Sequence, residues 1–376
     1  MHIGCVGYAV EQGLGRLMKS FVDAGVVTDP IIWPHRGRGR ENHPEWYKSG
    51  NMVSPESGSV SKLLKRRGKF IDVLMAWETF FDWTALATCR EMGIKTVLVP
   101  MHEWFPKKAP DMPDLFACPS KLDFFYFADL PYTREVSLQW AESATRSTPP
   151  FAIFQGGYTG TKASFTPIPV DPSTWKQRTT ALRFLHNAGN VGHRWHKGTL
   201  ELLQAVPLVK NPDFRLTVRG QDVEELNKVL KQVPEACKDP RLTIELGEVP
   251  YEKLWDGFDV YIAPEKQNGL SLPLQEARAA GLVVMTSDRF PHNDWLPREY
   301  LIPVSRYERA NVGSSYLDFD SAVVEPADIA VKIDEVFGRD IEAYSENIYG
   351  WALQNSWQAL KPKWLEVLSN LVEGNA

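Results

Sequence analysis

Residues 259–287 read DVYIAPEKQNGLSLPLQEARAAGLVVMTS, and the order of residue types in this stretch decides the fold. DVYIAP is a short apolar run with β-branched and aromatic residues, EKQNGLS is a polar turn, and LPLQEARAA is helical in pattern. Pro273 stands at the helix start and Gly281 just past its end, the usual asymmetry of helix termini. A second apolar run, LVVMTS, follows at once. Strand, turn, helix and strand in that order predict a parallel α/β sheet and not a sandwich or bundle. In such a turn the amides of Gly269, Leu270 and Ser271 point out of the helix N-terminus toward an anion. Glu276, one turn further on, suits the paired hydroxyls of a ribose whose diphosphate sits at the helix start. The helix dipole alone would also favour a carboxylate there.

Working outward, the same alternation fills the chain. Candidate strands in the first half are HIGCVG (2–7), PIIWP (30–34), IDVLMAW (71–77), TVLVPM (96–101), LFACPS (115–120) and FAIFQ (151–155). In the second half they are RFLHNAG (183–189), RLTVRG (215–220), LTIELG (242–247), DVYIAP (259–264), LVVMTS (282–287) and EYLIPV (299–304). Residues 166–176, TPIPVDPSTWK, carry three prolines and no periodicity, as a linker would. The expected organisation is an α/β protein with two Rossmann-like domains, 1–168 and 177–350. A closing helical segment, 351–376, completes it. Within that segment's pattern Trp351, Leu353, Trp357, Leu360, Trp364 and Leu368 are spaced to form one apolar face packing across both halves.

Other turns offer chemistry. After the first strand, Gly13 and Gly15 leave a helix start bare of side chains, fit either for phosphate or for a tight structural turn. In LHNAGNVGHRWHKGTLELLQA, Arg194 and Lys197 are cations at a βα turn, able to neutralise charge on a departing diphosphate or simply to be solvated. His193 and His196 have no carboxylate or cysteine partner in view, so no metal site is expected there. His102, in Met101-His102-Glu103-Trp104 at the end of TVLVPM, lies where open α/β sheets bind ligands, although a structural histidine reads the same way. Arg219 ends RLTVRG at a comparable edge. The single D-x-D, Asp318-Phe319-Asp320, reads as structural.

Composition bounds the possibilities. The 376 residues are 43% hydrophobic and 24% charged, which describes a globular chain and excludes fibrous and disordered classes. No apolar run reaches the length of a spanning helix and the first 25 residues lack a signal-like pattern, so a cytoplasmic protein is expected. Four dispersed cysteines, Cys5, Cys89, Cys118 and Cys237, predict reduced thiols and neither disulfides nor a zinc knot. The net charge of −5 disfavours nonspecific coating of nucleic acid. Yet from Arg36 to Lys69 nine basic residues stand against three acidic ones, in a Gly- and Pro-rich excursion near Trp33, Trp46 and Tyr47. That segment is either a solvated loop or a landing site for a polyanion.

Together these segments resemble the retaining glycosyltransferases of the GT-B fold, in particular glycosyltransferase family 4. Pro264 to Gly281, PEKQNGLSLPLQEARAAG, is similar to that family's P-x-x-E-G-F-G-L-P-x-L-E-A-x-A-x-G. GLGR, VPMHEWFP, PIPVDPSTW, HKGTLELLQA and LGEVPYEKLWDGFDVYIAPE extend the likeness along the chain. The resemblance implies a nucleotide-diphosphate sugar donor, UDP-linked by preference, held mainly by the second domain. The first domain would hold the acceptor and close over the cleft. Carried over by residue, Gly13 and Gly15 touch donor phosphates or sugar, Lys197 the diphosphate, Glu276 the ribose and His102 the transferred sugar. The first Glu of the family's E-x7-E pair falls on Asn268, an uncharged amide. The family's Arg before the K-G pair has no counterpart at the expected spacing, and Arg194 is a nearby substitute.

The implied reaction is transfer with retention through an oxocarbenium-like transition state. It needs no metal or cofactor, since Lys197, Arg194 and helix-start amides act on the diphosphate. Catalytic roles are thus expected at His102, Asn268 and Lys197. Donor contacts add Gly13, Gly15, Arg194, Arg219, Gly269, Leu270, Ser271 and Glu276. Short transferases of this pattern resemble bacteriophage enzymes that decorate modified DNA bases. That likeness makes a hydroxymethylated pyrimidine in double-stranded DNA the expected acceptor, gripped by Arg36, Arg38, Arg40, Arg66, Arg67 and Trp104. A saccharide or lipid-linked glycan acceptor, a noncatalytic nucleotide-sugar binder and a sugar-nucleotide epimerase are the alternatives.

Overall fold

The computed structural model describes residues 1–11, 13–34, 43–48, 50–54, 58–128, 153–154, 161–189 and 195–374. The chain forms two compact units: residues 1–169, 311–317 and 357–376 make unit 1, and residues 170–310 and 318–356 make unit 2.

Unit 1 is built on an eight-stranded sheet. Its strands are β1 (Ile3–Gly7), β2 (Asp29–Ile32), β3 (Asn51–Met52), β4 (Val73–Glu78), β5 (Lys95–Pro100), β6 (Leu115–Cys118), β7 (Ile153–Phe154) and β8 (Lys162–Phe165). The order is β3-β2-β1-β4-β5-β6-β8-β7, parallel except for the β7–β8 pair. Central strands covered on both faces read as unbroken apolar runs, which is why IGCVG and VLMAW were legible. Lys162–Phe165, KASF, carries little β signal, yet Ala163 and Ser164 are fully buried beside β6. Helices α1 (Gly13–Asp23), α2 (Val60–Arg67), α3 (Thr84–Met92) and α4 (Lys121–Phe127) complete the crossovers.

Unit 2 has a six-stranded parallel sheet in the order β11-β10-β9-β12-β13-β14. Its strands are β9 (Arg183–Gly189), β10 (Arg215–Gly220), β11 (Leu242–Leu246), β12 (Val260–Ala263), β13 (Val283–Ser287) and β14 (Leu301–Ile302). Helices α5 (Thr199–Ala205), α6 (Val223–Leu230), α7 (Leu272–Ala279), α8 (Pro326–Val336) and α9 (Glu342–Gln354) belong to it. The hairpin of β15 (Arg306–Ala310) and β16 (Phe319–Val323) was not anticipated. Asp320 lies in it opposite Arg309, with an ion pair of 3.1 Å, in keeping with a structural D-x-D.

The closing helical pattern is two helices instead of one. After α9 the chain breaks at Asn355 and Ser356, and α10 (Trp357–Glu373) begins. Leu353 is exposed, so the single apolar face does not form. Trp351 lies under the Arg278 guanidinium in unit 2, whereas Trp357 and Trp364 meet Phe21 edge-on in unit 1. Spacing alone cannot reveal that a helical face changes partner halfway. Cys5, Cys89 and Cys118 are buried free thiols and Cys237 is an exposed one. Among the described residues, no helix is long and apolar enough to cross a membrane.

Candidate active site

Among the parallel strands of each sheet the order reverses once, between β1 and β4 in unit 1 and between β9 and β12 in unit 2. Open α/β sheets bind ligands beyond the strand C-termini at such points.

At the reversal in unit 2, the loop after β9 carries Lys197 and the loop after β12 carries residues 264–271. Two devices fix them together. Gly198 has φ 67°, and a Cβ there would meet the Pro264 carbonyl oxygen at 2.2 Å, so the K-G pair requires its glycine. His186, fully buried, donates from Nδ1 to the Ile262 carbonyl (2.8 Å) and accepts at Nε2 from the Thr199 hydroxyl (2.9 Å). Burial holds its pKa down to about 4, so the ring is neutral and ties β9, β12 and α5 together. The sequence reading missed it because a histidine inside a strand resembles any core position.

The turn itself departs from a bare helix start. Asn268 is buried, and its Oδ1 accepts from the amides of Leu270 (3.2 Å) and Ser271 (2.9 Å). Two of the three amides expected to face an anion are therefore capped from within the turn. The Asn268 carbonyl accepts from Arg289 Nη1 at 2.9 Å. Lys197 donates to Oε1 of Glu265 at 3.3 Å, and the Ser271 hydroxyl donates to the same oxygen at 2.7 Å. Glu265 is fully buried and was not singled out from sequence, although it lies in the diagnostic stretch. Glu276 is half-buried and accepts from the Tyr251 hydroxyl at 3.0 Å. Arg219 is taken up by Glu245 (2.5 Å), the Leu254 carbonyl (2.6 Å) and the face of Phe258. These contacts make it a brace of the sheet edge. Arg194 lies outside the described residues.

The reversal in unit 1 is built differently. Gly15 is buried against the preceding turn, where a Cβ would meet the Val10 carbonyl oxygen at 2.0 Å, so its bareness serves packing; Gly13 is exposed. Glu78, ending β4, has φ 61°, a conformation costly for a residue with a side chain. Burial and the neighbouring Glu103 push its carboxyl up to about 8. Tyr8, Trp33 and Phe81, all half-buried, form a ring cluster with Tyr8 to Phe81 at 5.0 Å and Trp33 to Phe81 at 5.4 Å.

Beyond the next strand, His102 is buried, with Nδ1 3.0 Å from Asp123 and 3.3 Å from Glu103. The Ser120 hydroxyl and the His102 amide donate to Asp123. His102, Glu103 and Asp123 bring ligand-type atoms within 4.8 Å of one another. The imidazole Nδ1 lies between the two carboxylates, and the Ser120 hydroxyl covers Asp123. Trp104 is half-buried and edge-on to Tyr316. Arg66 and Arg67 are exposed in the last turn of α2, a helix within the expected surface excursion. Val60, Leu63 and Leu64 bury its other face. Arg36, Arg38 and Arg40 lie outside the described residues.

Residues 184–303, most of unit 2, match the family described as Glycosyl transferases group 1. No curated protein sequence matches the chain. Solved structures do. HepE from Anabaena, determined with UDP and glucose, shares 11% identity, with 98% of this chain and 100% of that one aligned at a TM-score of 0.65. A glycosyltransferase from Rickettsia africae aligns over 99% of this chain and 98% of its own at 12% identity and TM-score 0.57. The lipopolysaccharide outer core galactosyltransferase WaaB aligns over 100% of both chains at 13% identity and TM-score 0.55. Two parallel-sheet α/β units with these likenesses define the GT-B fold, and residues 184–303 of unit 2 are similar to group 1 glycosyl transferases.

Proposed function

We propose that the protein is a glycosyltransferase that takes a sugar from a nucleotide-diphosphate donor, UDP-linked by preference, and transfers it with retention at the anomeric carbon. The observation that carries this reading is the convergence of Lys197 and the start of α7 at the strand-order reversal of unit 2. Glu276 lies one turn further along the same helix. An ammonium beside a helix N-terminus suits a diphosphate, and a carboxylate steadied by Tyr251 suits ribose hydroxyls. The match of residues 184–303 to group 1 glycosyltransferases supports it independently. So do the UDP and UDP-glucose complexes of HepE. Lys197 would offset charge growing on the departing diphosphate, the role a divalent cation plays elsewhere, so activity should survive chelation.

For the acceptor we propose a saccharide bound by unit 1. Glu78, with its carboxyl pushed up to about 8, and the half-buried Tyr8–Trp33–Phe81 cluster supply a hydrogen-bonding group and ring faces suited to a sugar. A second reading, a modified base in duplex DNA, draws on the exposed Lys62, Lys65, Arg66 and Arg67 of α2. Incubating the protein with UDP-glucose, UDP-galactose and UDP-N-acetylglucosamine tests the core of the proposal. Slow release of UDP to water is expected for one of them, with an α-configured product once an acceptor is supplied. No release and no nucleotide binding would sink it, and retarded duplex DNA at low salt would promote the second reading.

A further inference from the structure

Glu265 and the Ser271 hydroxyl sit in the turn after β12 but have no part in the contacts proposed above. Glu265 is completely buried and Ser271 is 1% exposed. One carboxylate oxygen takes both the Ser271 hydroxyl and the Lys197 ammonium. The other, Oε2, is buried with no hydrogen-bond partner among the described residues. An interior carboxylate with an unsatisfied oxygen is destabilising on its own and persists only where something offsets it. Ser271 adds a second cost, because its φ of 50° is one that glycine adopts freely and serine rarely. What serine supplies there, and glycine could not, is the hydroxyl on Glu265. Two unfavourable features therefore serve one contact, and that contact ends on Lys197.

Any oxyanion bound by Lys197 lies one shell from the Glu265 carboxylate. Like charges at that separation oppose each other strongly in a poorly solvated interior. We propose that Glu265 is a positioning residue that aims Lys197 and discounts its charge toward the nucleoside diphosphate, so that the product departs. The inference rests on reading Lys197 as the diphosphate contact. A charge-neutral variant would grip the product harder: the donor KM and kcat should both fall, because release of product then limits turnover.

The test is calorimetric titration of UDP and of inorganic pyrophosphate into wild type, Glu265→Gln, Lys197→Ala and the double variant. Glu265→Gln is expected to bind both probes about ten-fold more tightly, and the gain is expected to vanish in the Lys197→Ala background. Should the glutamine variant melt early, Glu265→Met removes the same charge without leaving a buried polar group and serves the same arm. Unchanged or weaker binding in the neutral variants overturns the proposal, as does a gain that persists without Lys197. Pyrophosphate needs no nucleoside pocket. A wild type that ignores UDP therefore refutes the donor reading, while the pyrophosphate ratio still decides the role of Glu265.

Discussion

The two strand-order reversals teach different lessons. In unit 2 the site is drawn from two short loops whose parts fit tightly: the Asn268 side chain caps the amides of Leu270 and Ser271 within one turn, and Gly198 of the other loop packs against the Pro264 carbonyl. In unit 1 the corresponding place is assembled from the side chains of three separate segments, Glu78, His102 with Glu103, and Ser120 with Asp123. The first is a rigid cradle for a ligand group of fixed geometry. The second is a set of coupled carboxylates and half-buried rings, suited to a partner that offers hydroxyls. A donor common to many transferases and an acceptor peculiar to one would produce this asymmetry.

Four perturbations break or sharpen the contrast. Lys197→Ala should lower kcat by about 100- to 1,000-fold, the usual effect of deleting one preorganised group that stabilises developing charge. Steady-state rates with the same donor check it, and a loss under ten-fold would detach Lys197 from catalysis. Next comes acid stability of the cradle. The His186 ring has its folded pKa held to about 4 against an ordinary 6.5. Below pH 6.5 the unfolded chain therefore binds the proton that the folded chain refuses. Stability should fall as pH drops from about 6.5 to 4, by about 3 kcal/mol in all from this group. Urea midpoints across that range should flatten in His186→Gln.

Glu276→Ala should weaken UDP binding about ten-fold while leaving pyrophosphate binding unchanged, since the lost contact is to ribose. The smallest effect belongs to unit 1. Glu78→Gly should raise stability by about 1 kcal/mol by relieving the left-handed backbone, yet lower transfer to acceptor. Stabilisation without loss of activity would make the strain at Glu78 incidental.

Much of the architecture was legible because buried parallel strands are apolar throughout and their turns carry glycine and proline at fixed places, as in DVYIAPEKQNGLSLPLQEARAAG. The turn after β12 was legible for the same reason: its residues are neighbours in sequence. Glu265 escaped notice although it is adjacent to Pro264, because only tertiary packing brings Lys197 to it. His186 and Glu78 were illegible for a related cause, one being a polar residue inside a strand and the other a strand end whose φ no pattern records. The closing helical pattern promised one face, but the chain breaks at Asn355 and Ser356 and the two tryptophan-bearing helices serve different cores.

The central claim is that Lys197 and Glu276 hold a nucleotide-diphosphate sugar in unit 2. Titrating UDP-glucose and UDP into the wild type, Lys197→Ala and Glu276→Ala tests it most directly. Saturable binding by the wild type to at least one of the two, weakened ten-fold or more in both variants, is the predicted result. Absence of binding to either ligand, or undiminished binding in the variants, would contradict the account.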